Sequence, residues 1–215
     1  MNIQKWIQAV LGNYIADTRQ RKQLPTASYK AFKTVSDYLS DLPAIRDNSS
    51  LFIKWSVGSG NWAKVPWLAV LDDRWTKSVQ HGVYVVYLFR EDMSGVYMTL
   101  NQGVTKILDK YWKSKGYEIL RANAEIIRRE CSDLLDIGFR FDDQIHLTDS
   151  GLGQAYENSN IAYKFYPSDD LPSEDELEKD LEEVIRVYLK IPRGILDSSS
   201  DSQFEIEATQ LLALL

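Results

Sequence analysis

Apolar residues recur at every third or fourth position in the first 42 residues, the spacing that places them on one face of an α-helix. Two helices are therefore predicted before Pro43, because proline cannot continue a helix. The stripe of the first helix consists of Ile3, Trp6, Ile7, Val10, Leu11, Tyr14 and Ile15. The stripe of the second consists of Tyr29, Phe32, Val35, Tyr38 and Leu39.

The pattern then changes to short runs of β-branched and aromatic residues separated by glycine-containing turns, which is typical of strands. These runs are residues 51–57, 65–71, 82–89 and 95–100. The segment EDMSG between the last two has the length of a hairpin connection. In the second run Val65, Trp67 and Ala69 alternate with Pro66 and Leu68, and both sets are apolar. This strand is therefore expected to be covered on both faces.

Helical spacing returns in residues 104–112 and 119–135, and residues 139–147 are compatible with one more strand. The clearest helix follows Leu171. Ser173 and Glu176 have the spacing of a capping box, and the helix must end before Pro192. The Ser- and Asp-rich residues beyond it are typical of a linker, and the last residues favour a short helix.

These elements predict an α+β fold, a curved and mostly antiparallel sheet or partial barrel flanked by several helices, because consecutive strands with tight turns pair as antiparallel neighbours. One domain is expected over residues 1–190. It consists of N-terminal helices in 1–42, a β core in 50–103 and a helical, acidic part in 104–190. Residues 191–215 are expected to lead to a further domain.

The net charge of −6 conceals an asymmetry along the chain. Residues 1–116 hold 16 Lys and Arg against 9 Asp and Glu, whereas residues 117–215 hold 9 against 22. A basic half can supply the attraction to phosphates on which non-specific DNA binding depends. The charges equally suit a solvated surface, so both interpretations stay open. The candidate phosphate contacts are Arg19, Arg21, Lys22 and Lys64.

Cys131 is the single cysteine, which excludes an internal disulfide and suits a cytoplasmic protein. Its helical surroundings favour a buried structural thiol. His81 and His146 are the only histidines, so neither a metal site nor a cofactor is expected. No apolar run has the length of a membrane span, and the first residues lack the pattern of a signal peptide.

A pocket for a base extruded from a duplex needs aromatic faces for stacking and polar atoms that read the base edge. Residues 54–75 offer both, since they contain four of the six tryptophans and a Gly-Ser-Gly turn. The candidate base-binding residues here are Trp55, Ser56, Ser59, Asn61, Trp62 and Trp67. Gly58 and Gly60 would let the backbone approach the base closely. The competing interpretation is a plain hairpin whose tryptophans belong to the core.

Recognition of cytosine would favour a carboxylate that accepts from its N4 amino group. Asp72, Asp73 and Asp92 are candidates, and their spacing does not choose among them. If Trp62 belongs to the core, the pocket is expected around Tyr97 and Asp92 instead. The sequence contains no phosphate loop, nucleophile elbow, HExxH motif or convincing nuclease cluster, so no catalytic residue is predicted.

Three blocks resemble the MrcB-like N-terminal domain family, the DNA-reading domain of McrB-like subunits in methylation-dependent (type IV) restriction systems. They are GSGNWAKVPWLAVLD, VYVVYLFREDMSGVYMTLNQG and IAYKFYPSDDLPSEDELEKDLEEVIRVY, in that order. The resemblance implies a PUA-, EVE- or YTH-like curved barrel with a base-accepting pocket. It also implies a sensor of modified DNA placed ahead of a GTP-hydrolysing AAA+ motor or a nuclease. Residues 152–166 contain fewer glycines than the family pattern, which leaves the role of that loop open.

The leading functional hypothesis is a phage-defence binding domain for double-stranded DNA with a modified base such as 5-methylcytosine, read by base flipping. It is not expected to be an enzyme, and a nuclease subunit and a GTPase motor would be partners through the full-length protein. Two alternatives stay open. One is an RNA-binding PUA-like module, and the other is a non-catalytic subunit-assembly domain whose acidic helix contacts a partner.

Overall fold

The computed structural model describes residues 1–149 and 151–196, which form eight helices and five strands. The helices are α1 (Ile3–Thr18), α2 (Ala27–Asp41), α3 (Pro43–Arg46), α4 (Thr105–Lys110), α5 (Lys113–Glu130), α6 (Asp133–Asp136), α7 (Leu152–Asn158) and α8 (Glu174–Lys190). The strands are β1 (Leu51–Ser56), β2 (Trp67–Asp72), β3 (Val83–Phe89), β4 (Gly95–Gln102) and β5 (Asn160–Pro167).

The strands form one sheet in the order β1-β2-β3-β4-β5, and every neighbouring pair is antiparallel. The predicted α+β class, with an open, curved antiparallel sheet and several helices, is confirmed. The predicted hairpin between β3 and β4 is present. In its turn the Asp92 carboxylate accepts from the backbone N–H of Ser94, 3.0 Å away, and from the Ser94 hydroxyl.

Alternation along the strands divides the core into two layers. On β2, Leu68 and Val70 belong to one cluster of buried residues, whereas Ala69 and Leu71 belong to the other. The prediction that this strand is covered on both faces is therefore confirmed. The two layers arise because successive side chains of a strand point to opposite sides of the sheet.

Helices α1, α2 and α8 cover the first face of the sheet. Trp6 of α1 lies at the centre, with its ring edge-on to Phe32, Tyr87 and Phe89 at centroid distances of 5.2–5.4 Å. The carboxylate of Glu174, at the start of α8, accepts from the backbone N–H groups of residues 3 and 4 at 2.9 and 2.7 Å. This acidic residue thus caps α1, whose first N–H groups have no partner within the helix.

The capping box of Ser173 and Glu176 is present, so the predicted start of α8 is confirmed. The helix ends at Lys190, before Pro192. Just beyond it Arg193 Nη2 lies 2.5 Å from the fully buried Asp72 carboxylate, which ties the end of the described chain to β2. The predicted linker from residue 197 onwards and its terminal helix lie outside the described residues.

The expectation of a strand in residues 139–147 is wrong. Within the described chain this segment forms only an isolated bridge between Arg140 and Tyr163, and the fifth strand is β5. The Asp142 carboxylate explains the difference, because it accepts from the backbone N–H of Gln144 and from the Tyr163 hydroxyl at 3.1 and 2.6 Å. These side-chain bonds form a turn where a strand would need backbone pairing.

Candidate functional site

A cavity of about 380 Å³ opens between the loop that joins β1 to β2 and helix α7. This volume falls within the range of small-molecule sites, about 300–1,000 Å³. It is lined by Ser56, Gly58, Ser59, Asn61, Trp62, Ala63, Lys64, Val65, Trp67, Gly153 and Tyr156. Three aromatic side chains, two serine hydroxyls and one amide therefore face a single space.

Gly58 determines the shape of the loop. Its φ of +101° lies in the region that favours glycine, and a Cβ atom there would lie 2.1 Å from the carbonyl oxygen of Asn61. The loop closes through a 3.0 Å hydrogen bond from the Ala63 N–H to the Val57 carbonyl. Gly58 thus allows the loop to fold back on itself. Gly60, by contrast, has open space where its Cβ would lie and is not among the residues that line the cavity.

The end of α1 and the segment after it hold this loop from behind. The Tyr14 hydroxyl donates to the Ala63 carbonyl at 2.7 Å. The Lys22 ammonium donates to the Gly58 carbonyl and, at 3.3 Å, to that of Asn61. Burial lowers the pKa of Lys22, whose charge is satisfied by carbonyl groups rather than by an acid. The side chains of Tyr14 and Lys22 therefore hold the backbone of this loop.

Trp62 is half-buried and held on three sides. Its Nε1–H donates to the Gln20 carbonyl at 3.2 Å, and the Lys22 ammonium lies over its ring, 5.4 Å from the centroid. The Tyr14 ring packs edge-on at 5.7 Å. Trp62 nevertheless lines the cavity. Three contacts from the chain therefore hold the indole where it forms one wall of the cavity.

Helix α7 supplies the opposite wall, which the sequence analysis missed. Gly153 and Tyr156 are three residues apart and both line the cavity, as positions on one helical face do. A Cβ atom at residue 153 would lie 1.9 Å from Cγ2 of Thr148, so a larger residue would displace its neighbours. The sequence signal for this wall was the spacing of Gly153 and Tyr156 in residues 152–166, the segment whose role the sequence analysis left open.

Tyr156 is positioned by the sheet. The Asn101 side chain of β4 donates to the Tyr156 carbonyl at 3.2 Å and accepts from the Ser159 hydroxyl at 2.6 Å. Burial raises the pKa of Tyr156, so its phenol is neutral and can donate a hydrogen bond at physiological pH. Asn101 and Ser159 thus anchor the backbone at the end of α7, the second wall of the cavity.

An ion pair lies at the edge of the cavity. Lys64 Nζ is 2.9 Å from the Glu91 carboxylate, which also accepts from the Thr148 hydroxyl. The Thr148 hydroxyl and the Lys64 ammonium hold the pKa of Glu91 below its usual value. The pair connects the loop after β1 to the start of the β3–β4 turn.

A family model for the MrcB-like N-terminal domain matches residues 9–193. The chain belongs to this family. No curated protein matches it significantly. The family match covers both walls of the cavity, including α7, for which the sequence resemblance left the role open.

Three predicted site residues of this MrcB-like domain lie away from the cavity. Trp55 packs on the helical side of the sheet, stacked on Phe32 with ring centroids 5.6 Å apart. Tyr97 is buried on the other face, 4.6 Å from the Phe165 ring. Asp92 is exposed in the β3–β4 turn and pairs with Arg90 at 3.1 Å. Ser56, Ser59, Asn61, Trp62 and Trp67 all line the cavity, whereas the alternative carboxylates Asp72 and Asp73 do not.

The predicted phosphate contacts divide into two pairs. Arg19 and Arg21 are exposed in the segment after α1. Lys22 and Lys64 instead make the intramolecular contacts described above, so a phosphate would have to compete with carbonyl groups or with Glu91. The two arginines are therefore the more accessible pair.

Other candidate chemistry has a structural explanation. The Asp72 carboxylate is fully buried between Arg74 and Arg193. Burial raises the pKa of the Cys131 thiol to about 12, as expected of a structural cysteine. Within residues 1–149 and 151–196, no group of three or more His, Cys, Asp and Glu side chains is arranged to hold a metal ion. No helix in these two ranges is long and apolar enough to cross a membrane.

Proposed function

We propose that this MrcB-like domain binds duplex DNA and takes a modified base, 5-methylcytosine or a related modified cytosine, out of the stack into the cavity beside α7. One observation carries the proposal. The cavity combines the rings of Trp62, Trp67 and Tyr156 with the Ser56 and Ser59 hydroxyls and the Asn61 amide. A pocket for an extruded base requires stacking surfaces together with groups that read the base edge.

The polar groups that line the cavity support recognition of a base edge. The exposed Asn61 amide has both a donor and an acceptor, and its backbone N–H is already bonded to the Ser59 carbonyl at 2.9 Å. Among the residues that the structure describes, those that line the cavity include no carboxylate. The amide oxygen of Asn61 is therefore our candidate acceptor for the cytosine N4 amino group, in place of the aspartates considered from the sequence.

The apolar side chains supply the preference for modification. An added methyl group in an apolar pocket contributes about 1–3 kcal/mol, which is about 5- to 150-fold in affinity. Val65, Ala63 and the aromatic rings offer such surroundings. The preference is thus expected to be modest, and much of the total affinity should come from phosphates.

Phosphate binding is assigned to the basic half of the chain, with Arg19 and Arg21 as the first contacts and Lys22 and Lys64 as further ones. In this proposal the domain, residues 1–190, has no catalytic activity. It reads DNA in the cytoplasm for a phage-defence complex whose GTPase motor and nuclease subunit are reached through sequence beyond residue 191.

The test is a binding panel on the purified chain. It compares duplexes with 5-methylcytosine, 5-hydroxymethylcytosine or cytosine at one position, and an RNA of the same sequence. The wild type is expected to bind a modified duplex at least about fivefold more tightly than the plain one. Asn61→Ala should weaken binding to the modified duplex, because the amide is the proposed acceptor for the N4 amino group of the extruded cytosine.

Gln8→Ala, which removes an exposed amide on α1, is the matched control and should leave the affinity for the modified duplex unchanged. Equal affinity of the wild type for modified and plain duplexes would contradict the proposal. Tighter binding to the RNA would instead support the RNA-binding alternative.

A further inference from the structure

The corner between α4 and α5 exposes a tryptophan among lysines. Trp112, directly before α5, is 75% exposed, whereas the other five tryptophans are buried or half-buried. Indole is costly to leave in water, so a surface tryptophan indicates a contact with a partner. The surrounding residues 105–116 contain four lysines and one acidic residue. This composition favours a polyanionic binding partner over a purely apolar one.

Two lysines of the corner lie against aromatic rings and one amide, and Lys115 lies 3.5 Å from the Glu118 carboxylate. Lys113 Nζ lies 5.5 Å from the Tyr117 ring centroid and 3.4 Å from Oε1 of Gln154. Lys110 Nζ lies 5.1 Å from the centroid of the Tyr111 ring. Flat rings interleaved with ammonium groups are the arrangement that proteins use to bind bases and phosphates together.

The corner is packed against the α7 wall of the cavity. Val104, Leu120 and Ala155 form a small buried cluster, and Tyr117 and Tyr156 pack on it. Gln154, which Lys113 contacts, is adjacent to the cavity residue Gly153. Trp112 therefore directly precedes a helix, α5, that packs on the cavity helix α7.

We propose that this corner is a second contact to the same duplex, in which the Trp112 indole enters the gap left by the extruded base. The inference rests on the proposed function, because the duplex that the corner contacts is the one whose base enters the cavity. Removing a base from the stack leaves two unstacked neighbours, and an aromatic ring can stack on either of them. Lys113 and Lys115 then approach the phosphates that flank the gap.

A duplex with a single abasic site tests the corner separately from the cavity, since it has the gap but no base to extrude. The wild type is expected to bind this duplex at least about fivefold more tightly than the intact, unmodified one. Trp112→Ala should abolish that preference. Leu135→Ala is the control, because it removes another exposed large side chain, on α6. Both variants should keep the wild-type melting temperature, since both side chains are exposed.

The outcomes separate the two proposals. A preference for the abasic duplex that depends on Trp112 supports the proposal for the corner. Equal affinity for modified and plain duplexes contradicts only the proposal for the cavity. A Trp112→Ala variant with wild-type affinity for the abasic duplex overturns the corner and leaves the cavity proposal unaffected. Wild-type binding that is tighter to single-stranded RNA than to every duplex overturns it as well.

Discussion

Replacement of Trp62 by alanine tests whether this side chain only stabilises the β1–β2 loop or also stacks on a base. The structure identifies three interactions of this indole. The hydrogen bond to the Gln20 carbonyl contributes about 1 kcal/mol. The edge contact with Tyr14 contributes about 0.5–1.5 kcal/mol, and the Lys22 ammonium over the ring about 0.5–1 kcal/mol.

Trp62→Ala should therefore lower the free energy of unfolding by about 2–3.5 kcal/mol, less than the roughly 3–5 kcal/mol expected for a fully buried tryptophan. For a protein of this size the melting temperature should fall by about 4–14 °C. The domain should stay folded at room temperature. If a base stacks on the ring, affinity for modified duplex should also fall about five- to hundredfold.

Trp62→Phe is the matched variant. It keeps an aromatic face but lacks the Nε1–H donor, so it should lose about 1 kcal/mol of stability and most of the affinity should persist. Thermal melting and duplex titration on both variants provide the measurement. A folded Trp62→Ala with unchanged affinity would refute stacking on this ring. An unchanged melting temperature would refute its role in holding the loop.

Two further predictions concern charge. Reversing Arg19 and Arg21 to glutamate should weaken duplex binding and reduce the slope of log K against log salt by about 0.9 for each lost phosphate contact, and an unchanged slope would rule them out. Asp72→Asn should destabilise the fold by about 3 kcal/mol at pH 7, because it breaks a buried ion pair with Arg74 and Arg193. Burial alone would raise the pKa of Asp72, but the hydrogen bonds and charges of these arginines lower it. The stabilisation is thus present above the unfolded-state pKa of about 3.9 and is lost as the pH falls through the lower pKa of the folded state. Denaturant unfolding should therefore show a smaller effect of the substitution at pH 3 than at pH 7.

The sequence resemblance and the local pattern together predicted one wall of the cavity. Ser56, Ser59, Asn61, Trp62 and Trp67 all line it. These residues are close in sequence and belong to one strand–loop–strand unit, so their proximity in space follows from local geometry. The orientation of Trp55 did not follow in the same way. Its ring belongs to the helical side because Phe32, which is far along the chain, offers a stacked partner there.

Periodicity in the sequence by itself determined α1, α2, α8 and the strands β1–β4, since each buries a regular set of positions and neighbouring strands are joined by short connections. Only the tertiary structure decided the rest. Strand β5 pairs with β4 across almost sixty residues, and the end of α7 is bonded to Asn101 of β4. Such long-range contacts leave no periodic trace in the segments that make them. The second wall of the cavity and the exposed corner beside it therefore became visible only once the chain was folded.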